Sequence, residues 1–109
     1  MSSELAFIGR RSGTGKTSVG FEMHAQLGAA DISHCLIDGD FLDMAHPAPW
    51  QHHLVERNLT AIWANYRALG YHRMIYTNTV CVLPEEIARL TTAIGDNPNV
   101  TAVLLTCTD

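Results

Sequence analysis

The sequence has few of the features that mark secreted, membrane-spanning or disulfide-stabilised proteins. It contains 3 cysteines, an odd and widely spaced set, which favours free thiols in a reducing, cytoplasmic setting. No stretch approaches the roughly 20 apolar residues that a membrane-spanning helix needs. The first residues also lack the positive charge of a signal peptide. We therefore expect a cytoplasmic protein with no membrane partner.

Positive charge is scarce as well. The chain has 7 Lys and Arg against 11 Asp and Glu, a net charge of −4, and its basic residues are scattered. A nucleic-acid-binding surface needs clustered Lys and Arg, so nucleic acid is not an expected partner. What the chain does have is 47% apolar residues in a length of 109. That composition predicts one globular domain over residues 1–109.

Short apolar runs alternate with segments of helical periodicity along the chain. The runs at 5–8, 34–37, 74–76 and 100–105 predict buried strands. Helices are predicted between them, each followed by a glycine stop signal: Lys16 to Leu27 before Gly28, Trp50 to Leu69 before Gly70, and Pro84 to Ile94 before Gly95. This alternation predicts an α/β fold, with a parallel sheet of four strands and helices on both faces.

A glycine-rich loop joins the first predicted strand to the first helix. Its residues fit the phosphate-binding P-loop motif G-x-x-x-x-G-K-[ST], although Arg10 stands where the first glycine belongs. We expect the loop and the start of the helix to bind nucleotide phosphates, with Lys16 on the β- and γ-phosphates and Thr17 on Mg²⁺. A chance Ser/Gly-rich loop is the alternative. The predicted nucleotide-binding residues are Ser12, Gly13, Thr14, Gly15, Lys16, Thr17 and Ser18.

Polar residues also follow the second and third predicted strands. Asp38-Gly39-Asp40 ends the second, and Asn78 ends the third. Carboxyl ends of parallel strands share one edge of a sheet, where ligands bind. Transfer of a phosphoryl group to a hydroxyl needs a carboxylate to accept the proton or orient the nucleophile. The alternative interpretation of Asp38-Gly39-Asp40 is an ordinary acidic turn, because Asp and Gly are common turn residues. We expect Asp38 to be catalytic, and Asn78 to face a small-molecule acceptor.

The P-loop and Asp-Gly-Asp together resemble the small-molecule P-loop kinases, especially the adenylylsulfate kinase group and its gluconate- and shikimate-kinase relatives. The resemblance implies a three-layer P-loop NTPase fold with ATP and Mg²⁺ as cofactors. It implies catalytic roles for Lys16 and Asp38, the latter as base or as a carboxylate near Mg²⁺, directly or through water. Asp40 and Arg57 would contact the acceptor. A solvated surface charge is an equal alternative for Arg57.

Residues that would form the fifth strand and the arginine-bearing lid of these kinases have no counterpart before Asp109. We therefore expect a C-terminally truncated kinase core. An apolar fourth strand left unpaired at the sheet edge would favour self-association.

Other residues were weighed as metal ligands, nucleophiles or stacking groups. The histidines lack zinc-site spacing, and His52 and His53 are expected to face solvent. Cys35 lies within a predicted strand and is expected in the core. Aromatic residues at helical spacing, here Trp50, Trp63 and Tyr66, are also expected there.

Three functions remain open on sequence alone. The first is an ATP-dependent kinase that transfers the γ-phosphoryl group to a small-molecule hydroxyl. The second is a nucleotide-binding or ATP-hydrolysing module without transferase activity. The third is a structural α/β domain whose loop binds anions adventitiously.

Overall fold

The computed structural model describes residues 3–9, 16–78 and 84–104, with the backbone alone described at 16–18 and 104. Strands and helices alternate along this part of the chain, as follows: β1 Glu4–Gly9, α1 Lys16–Ala29, β2 Cys35–Asp38, α2 Leu54–Ala68, β3 Arg73–Asn78, α3 Pro84–Ile94 and β4 Asn99–Leu104. Two short 3-10 turns, Gly39–Phe41 and Trp50–His52, lie between β2 and α2.

The described strands form one parallel sheet in the order β2-β3-β1-β4. In this order β1 lies inside the sheet, with β3 on one side and β4 on the other. The connections from β1 to β2 and from β2 to β3 each contain a helix, as parallel strands require. The predicted α/β fold with a four-stranded parallel sheet is therefore confirmed.

One face of the sheet packs against α2 and α3. Phe7, Ile37 and Tyr76 are paired across three neighbouring strands, and all three side chains point to this face. The rings of Phe7 and Tyr76 meet edge to face, with centroids 5.4 Å apart. The helices complete this core with fully buried or nearly fully buried side chains, Leu59 and Trp63 from α2 and Leu90 and Ile94 from α3.

The opposite face packs against α1. A Cβ at Gly20, in the second turn of α1, would lie 3.0 Å from Thr77 Cγ2 on β3 and 3.4 Å from Leu36 Cδ1 on β2. Only a residue without a side chain lets the helix approach the sheet this closely. Helices therefore cover both faces, which gives the predicted three layers and explains why the strands are continuous apolar runs.

Several predicted boundaries differ from the observed ones. Helix α1 continues through Gly28 to Ala29. The predicted second helix is interrupted at His53, whose φ of 54° is left-handed, so α2 begins only at Leu54. A residue in that region cannot continue an α-helix, and Trp50 lies in a separate 3-10 turn before it.

One predicted core residue of the second helical segment is wrong: Trp50 is 76% exposed because it precedes α2. Leu69, the end of the predicted helix, is 77% exposed because it follows the last helical turn. Trp63 is 2% exposed and lies in the core as expected, and Tyr66 is half-buried against it.

Strand β4 is an edge strand of the described sheet. It pairs with β1 along one side, and its residues 101–103 are exposed. In the described residues, no helix is long and apolar enough to cross a membrane.

Candidate phosphoryl-transfer site

The carboxyl edge of the sheet brings Asp38 and Asn78 close to the start of helix α1. Strand β1 ends there at Gly9, β2 at Asp38 and β3 at Asn78, and these strands are neighbours in the sheet. Helix α1 begins at Lys16, after the connection that leaves β1. The edge therefore combines a helix N-terminus, which favours anions, with a carboxylate and an amide from adjacent strands.

The predicted phosphate loop is described only where it enters α1. Ser12, Gly13, Thr14 and Gly15 lie outside the described residues. Lys16, Thr17 and Ser18 form the first turn of α1, and their backbone is helical. The first N–H groups of an α-helix have no partner within the helix, so this turn can donate hydrogen bonds to an anion. Strand β1 precedes the predicted loop and helix α1 follows it, as the motif requires.

The Asp-Gly-Asp segment forms a tight turn at the end of β2. Asp38 Oδ1 accepts a hydrogen bond of 3.0 Å from the backbone N–H of Asp40, which caps the 3-10 turn Gly39–Phe41. Among the described residues, Asp38 Oδ2 has no hydrogen-bonding partner. The turn thus fixes the direction of the Asp38 carboxyl group through one of its oxygens.

Gly39 is required at the centre of this turn. A Cβ at this position would lie 2.0 Å from Tyr76 Oη and 2.8 Å from Asn78 Nδ2. Asn78 Nδ2 in turn donates a 3.2 Å hydrogen bond to Tyr76 Oη. The structure therefore places Asn78 directly against the Asp-Gly-Asp turn, as expected for residues that share one sheet edge. Its role toward an acceptor stays a prediction.

Arg57 lies in the first turns of α2 and is exposed. Its guanidinium has no ion pair or hydrogen bond among the described residues. This position suits a contact with a ligand. It equally suits the alternative interpretation, in which Arg57 is a solvated surface charge. Arg89, by contrast, is paired with both Glu56 and Glu86 between α2 and α3.

Asn58 has a positioning role that the sequence did not reveal. Its Nδ2 donates a 2.6 Å hydrogen bond to the carbonyl oxygen of Leu42, the residue after the 3-10 turn of the Asp-Gly-Asp segment. This bond ties α2 to the segment that carries the site carboxylates. The only sequence signal was the adjacency of Asn58 to Arg57, because a side chain that reaches across 16 residues leaves no local pattern.

A cavity of about 230 Å³ opens beside Asp38. It lies between α1 and the turn after β2, and its lining includes Phe21 of α1 and Phe41 of the turn together with Leu36, Asp38 and Thr77. Phe21 and Phe41 are 59% and 65% exposed. Because α1 rises about 1.5 Å per residue, Phe21 lies only about 8 Å along the helix from Lys16. Neither phenylalanine is among the residues predicted for the site.

The described residues fit a magnesium ion held together with nucleotide phosphates. Mg²⁺ prefers oxygen ligands and is commonly bound by one or two carboxylates plus phosphates rather than by an all-protein cage. Asp38 Oδ2 is a carboxylate oxygen at the carboxyl edge of the sheet, where nucleotide phosphates would bind. No cluster of three or more His, Cys, Asp or Glu side chains suited to a metal occurs within 3–9, 16–78 and 84–104.

The cysteine and histidines that were considered as a nucleophile or metal ligands lie in the core or in solvent. Cys35 is buried in the core, and burial raises the pKa of its thiol from 9.0 to about 12, so it is not an activated nucleophile. Cys81 and Cys107 lie outside the described residues. His52 and His53 are exposed, as expected.

The strand order and the helix after β1 define an α/β protein with the P-loop NTPase fold. The solved structures that share this fold include APS kinase CysC from Mycobacterium tuberculosis, as a cysteine-to-alanine variant, with a TM-score of 0.61 and 19% identity. The match covers 94% of this chain and 75% of that one. The predicted resemblance to adenylylsulfate kinases is thus confirmed at the level of the fold.

A second solved structure is that of the same kinase in complex with AMPPNP and APS. It matches with a TM-score of 0.62 and 18% identity over 94% of this chain, which spans 62% of that chain's length. No family model matches the sequence, and no curated protein matches it. At this level of identity the comparisons establish the fold and leave the reaction to be argued from the site.

Proposed function

We propose that this chain binds ATP with Mg²⁺ and transfers the γ-phosphoryl group to the hydroxyl of a small molecule. The observation that carries the proposal is the cavity that Asp38 shares with the phosphate-loop helix. It joins the end of β2, where the Asp38 carboxylate could contact an acceptor, to the helix whose N-terminus favours phosphate. The matched kinase that binds AMPPNP and APS has the same fold, which supports the assignment.

Phosphate binding would come from the loop before α1 and the first helical turn. The backbone N–H groups of Ser12 to Ser18 would surround the phosphates, and the ammonium of Lys16 would lie on the β- and γ-phosphates. Thr17 would ligate Mg²⁺, with Asp38 near it directly or through water. The ion supplies charge neutralisation at the phosphates when it is bound.

The acceptor side would use the residues around the Asp-Gly-Asp turn. The acceptor oxygen forms a bond to the γ-phosphorus as the bond from phosphorus to the β–γ bridging oxygen breaks, and ADP leaves. The hydroxyl proton passes to the Asp38 carboxylate, whose direction is fixed by the N–H of Asp40. Asp40, Arg57 and Asn78 would orient the acceptor, so catalysis would rest on positioning and charge stabilisation.

The proposal is tested by comparing ATP-dependent phosphorylation of a panel of small alcohols by the natural chain and by Asp38→Asn. We expect product from the natural chain and a loss of about 100-fold or more in kcat for the variant, because a positioned base commonly contributes that much. Nucleotide binding by the variant should persist. ATP hydrolysis that needs no acceptor and is equal in Asp38→Asn would instead favour a module without transferase activity.

A further inference from the structure

Two histidines from different parts of the fold are in contact near the amino end of β2. His24 lies in the middle of α1, and His34 immediately precedes β2. His24 Nδ1 and His34 Nε2 are 2.7 Å apart, and the ring centroids are 4.9 Å apart with an interplanar angle of 66°. The two residues are 10 positions apart in sequence, so no metal-site spacing reveals the pair. Only the fold brings the two ring nitrogens together.

A backbone contact determines which nitrogen of His34 faces His24 with a lone pair. His34 Nδ1 lies 2.8 Å from the carbonyl oxygen of Ile32. A carbonyl oxygen only accepts hydrogen bonds, so His34 Nδ1 carries the hydrogen and donates it. In the neutral ring, His34 Nε2 therefore has a lone pair directed at His24, and His24 Nδ1–H donates to it. An imidazole can carry its hydrogen on either nitrogen, so His24 can also present a lone pair at Nδ1.

The contact between His34 and Ile32 is typical of histidines that bind metals. A ligating histidine commonly donates the hydrogen of its other ring nitrogen to a backbone carbonyl or a carboxylate. That hydrogen bond fixes the tautomer and the orientation of the ring, and it makes the ligating nitrogen more basic. His34 has this hydrogen bond in the structure, with Nε2 as the nitrogen left for a metal.

The connection from α1 to His34 is held by backbone hydrogen bonds. Asp31 N–H donates to the carbonyl oxygen of Gly28 at 3.0 Å, and Ile32 N–H donates to that of Leu27 at 2.9 Å. These bonds satisfy carbonyl groups at the end of α1 and fix the Ile32 carbonyl that orients His34. Because the backbone already holds the two rings together, an ion shared by both rings would cost little ordering entropy.

The distance between the two nitrogens fits a metal whose ligands lie at right angles. Metal–nitrogen bonds are about 2.0–2.1 Å long, so two such bonds at 90° place the nitrogens about 2.9 Å apart, and at the tetrahedral angle about 3.3 Å apart. The separation of 2.7 Å in the structure is closer to the first value. Right-angled coordination is typical of Cu²⁺ and Ni²⁺, and both ions suit imidazole ligands.

We propose that His24 and His34 form a chelating site for a divalent transition metal, Cu²⁺ or Ni²⁺, with water in the remaining coordination positions. His24 is exposed and His34 is half-buried, so the ion and its water ligands can reach the pair. The site lies at the opposite end of β2 from Asp38, and it does not depend on the proposed phosphotransferase function. A metal bound to both rings joins α1 to β2 and thereby stabilises the folded chain.

Titration calorimetry with Ni²⁺, on the chain without a histidine tag and without nucleotide, tests the site. We expect the natural chain to bind one Ni²⁺. His24→Gln and His34→Gln each leave a single ligand and should weaken binding by at least about tenfold, because the second contact of a chelate is intramolecular. His52→Gln is the matched control, since it removes an exposed histidine outside the pair, and it should bind as the natural chain does.

Three results of this titration would overturn the proposal. They are no binding of Ni²⁺ by the natural chain, an unchanged affinity in a folded His24→Gln variant, and an equal loss of affinity in His52→Gln. The last result would show that exposed histidines bind the ion adventitiously. Circular dichroism establishes that the variants are folded, which is expected for His24→Gln because His24 is exposed on α1.

Two further measurements give independent readouts. Ni²⁺ should raise the urea midpoint of the natural chain and of His52→Gln, and it should have little effect on His24→Gln. An equal rise in His24→Gln would show that the metal binds elsewhere. Cu²⁺ bound to the natural chain should show coupling to two imidazole nitrogens in its electron paramagnetic resonance spectrum. Coupling to one nitrogen or to none would contradict the proposal without the need for any variant.

Discussion

Gly39 connects the sequence motif to the geometry of the site. The Asp-Gly-Asp segment predicts two carboxylates at a strand end, but the sequence gives no reason for the glycine between them. In the structure, Tyr76 is fully buried with its Oη directly beneath Gly39. The glycine therefore lets the turn close onto the core, and this closeness fixes where Asp38 stands.

We expect Gly39→Ala to destabilise the protein by about 1–3 kcal/mol, since the new methyl group has no room and over-packing costs that much. Urea unfolding measures the change. Gly28→Ala is the matched control: it lies in α1 with nothing within 4 Å of its Cβ. Alanine exceeds glycine in helix propensity by about 1 kcal/mol, so the control should be neutral or stabilising. Equal destabilisation by both substitutions would contradict this role of Gly39.

Cys35 gives a pH dependence with a definite sign. Its thiol pKa is about 12 in the folded protein, against an ordinary 9.0, because burial disfavours the thiolate. As pH rises above 9, the unfolded chain loses this proton before the folded chain does. The contribution of the buried neutral thiol is therefore complete below pH 9 and is lost as pH rises toward 12.

We expect the free energy of unfolding to fall more steeply between about pH 9 and pH 11 in the natural chain than in Cys35→Ala. Denaturant unfolding at several pH values in this range measures both slopes. The comparison with the variant removes the shared contribution of tyrosine and lysine titration. Parallel slopes would show that the thiol has the same pKa in both states.

At the scale of elements, apolar runs and helical periodicity predicted the strands and helices, but they did not predict the contacts between these elements. Strands β1, β2 and β3 are largely buried on both faces, and the glycines after α2 and α3 have φ values of 94° and 80°, which suit helix ends. The order β2-β3-β1-β4 could not be read from a local pattern. Sheet pairing depends on which helices cover which face, and this is decided by packing across the whole chain.

Asp96 shows why some connections leave no sequence signal. Its Oδ2 accepts hydrogen bonds from Ser3 Oγ at 2.5 Å and Trp63 Nε1 at 3.3 Å, and it pairs with Arg67 Nε at 3.2 Å. These partners come from two separate parts of the sequence, the residue before β1 and helix α2. In sequence Asp96 belongs to an ordinary turn, but in the structure it joins α2 to the start of β1 and to the segment before β4.

Asn58 is a similar connection that bears on the site. We expect Asn58→Ala to lower stability by about 0.5–1.5 kcal/mol, because it removes the hydrogen bond to Leu42. The same change should raise the KM for an acceptor, since the Asp-Gly-Asp segment loses its tie to α2. Stability is measured by urea unfolding, and KM by the phosphorylation assay.

Asn65→Ala provides the control on the same helix. Asn65 is exposed, so this substitution tests only the higher helix propensity of alanine and should be neutral or slightly stabilising. If both variants unfold at the same urea concentration and share the acceptor KM of the natural chain, the Asn58 bond does not position the segment.

For the whole molecule, the fold and the sheet edge shared by the predicted site residues could be predicted from the sequence, but the chemistry of an acceptor could not. The P-loop, Asp38 and Asn78 were expected on one sheet edge, and the structure places β1, α1, β2 and β3 accordingly. The cavity lined by Phe21 and Phe41 was not predicted. Two isolated phenylalanines 20 positions apart form no sequence pattern, and they meet at one cavity only because α1 packs beside the turn.

We propose that the start of α1 and the loop before it bind the phosphates of ATP through Lys16. Lys16 is the only lysine in the sequence, so its replacement removes a cation that no neighbouring lysine can replace. Arg73→Ala is the matched control, since it removes a positive charge at the start of β3, on the opposite edge of the sheet. Circular dichroism would establish that both variants keep the fold.

The most direct test is the dissociation constant of ATP with Mg²⁺, measured by titration calorimetry for the natural chain, Lys16→Ala and Arg73→Ala. We expect Lys16→Ala to weaken binding by at least about tenfold, the size of a lost charge-assisted contact, and Arg73→Ala to bind as the natural chain does. Equal dissociation constants for the natural chain and a folded Lys16→Ala variant would show that Lys16 does not bind the phosphates.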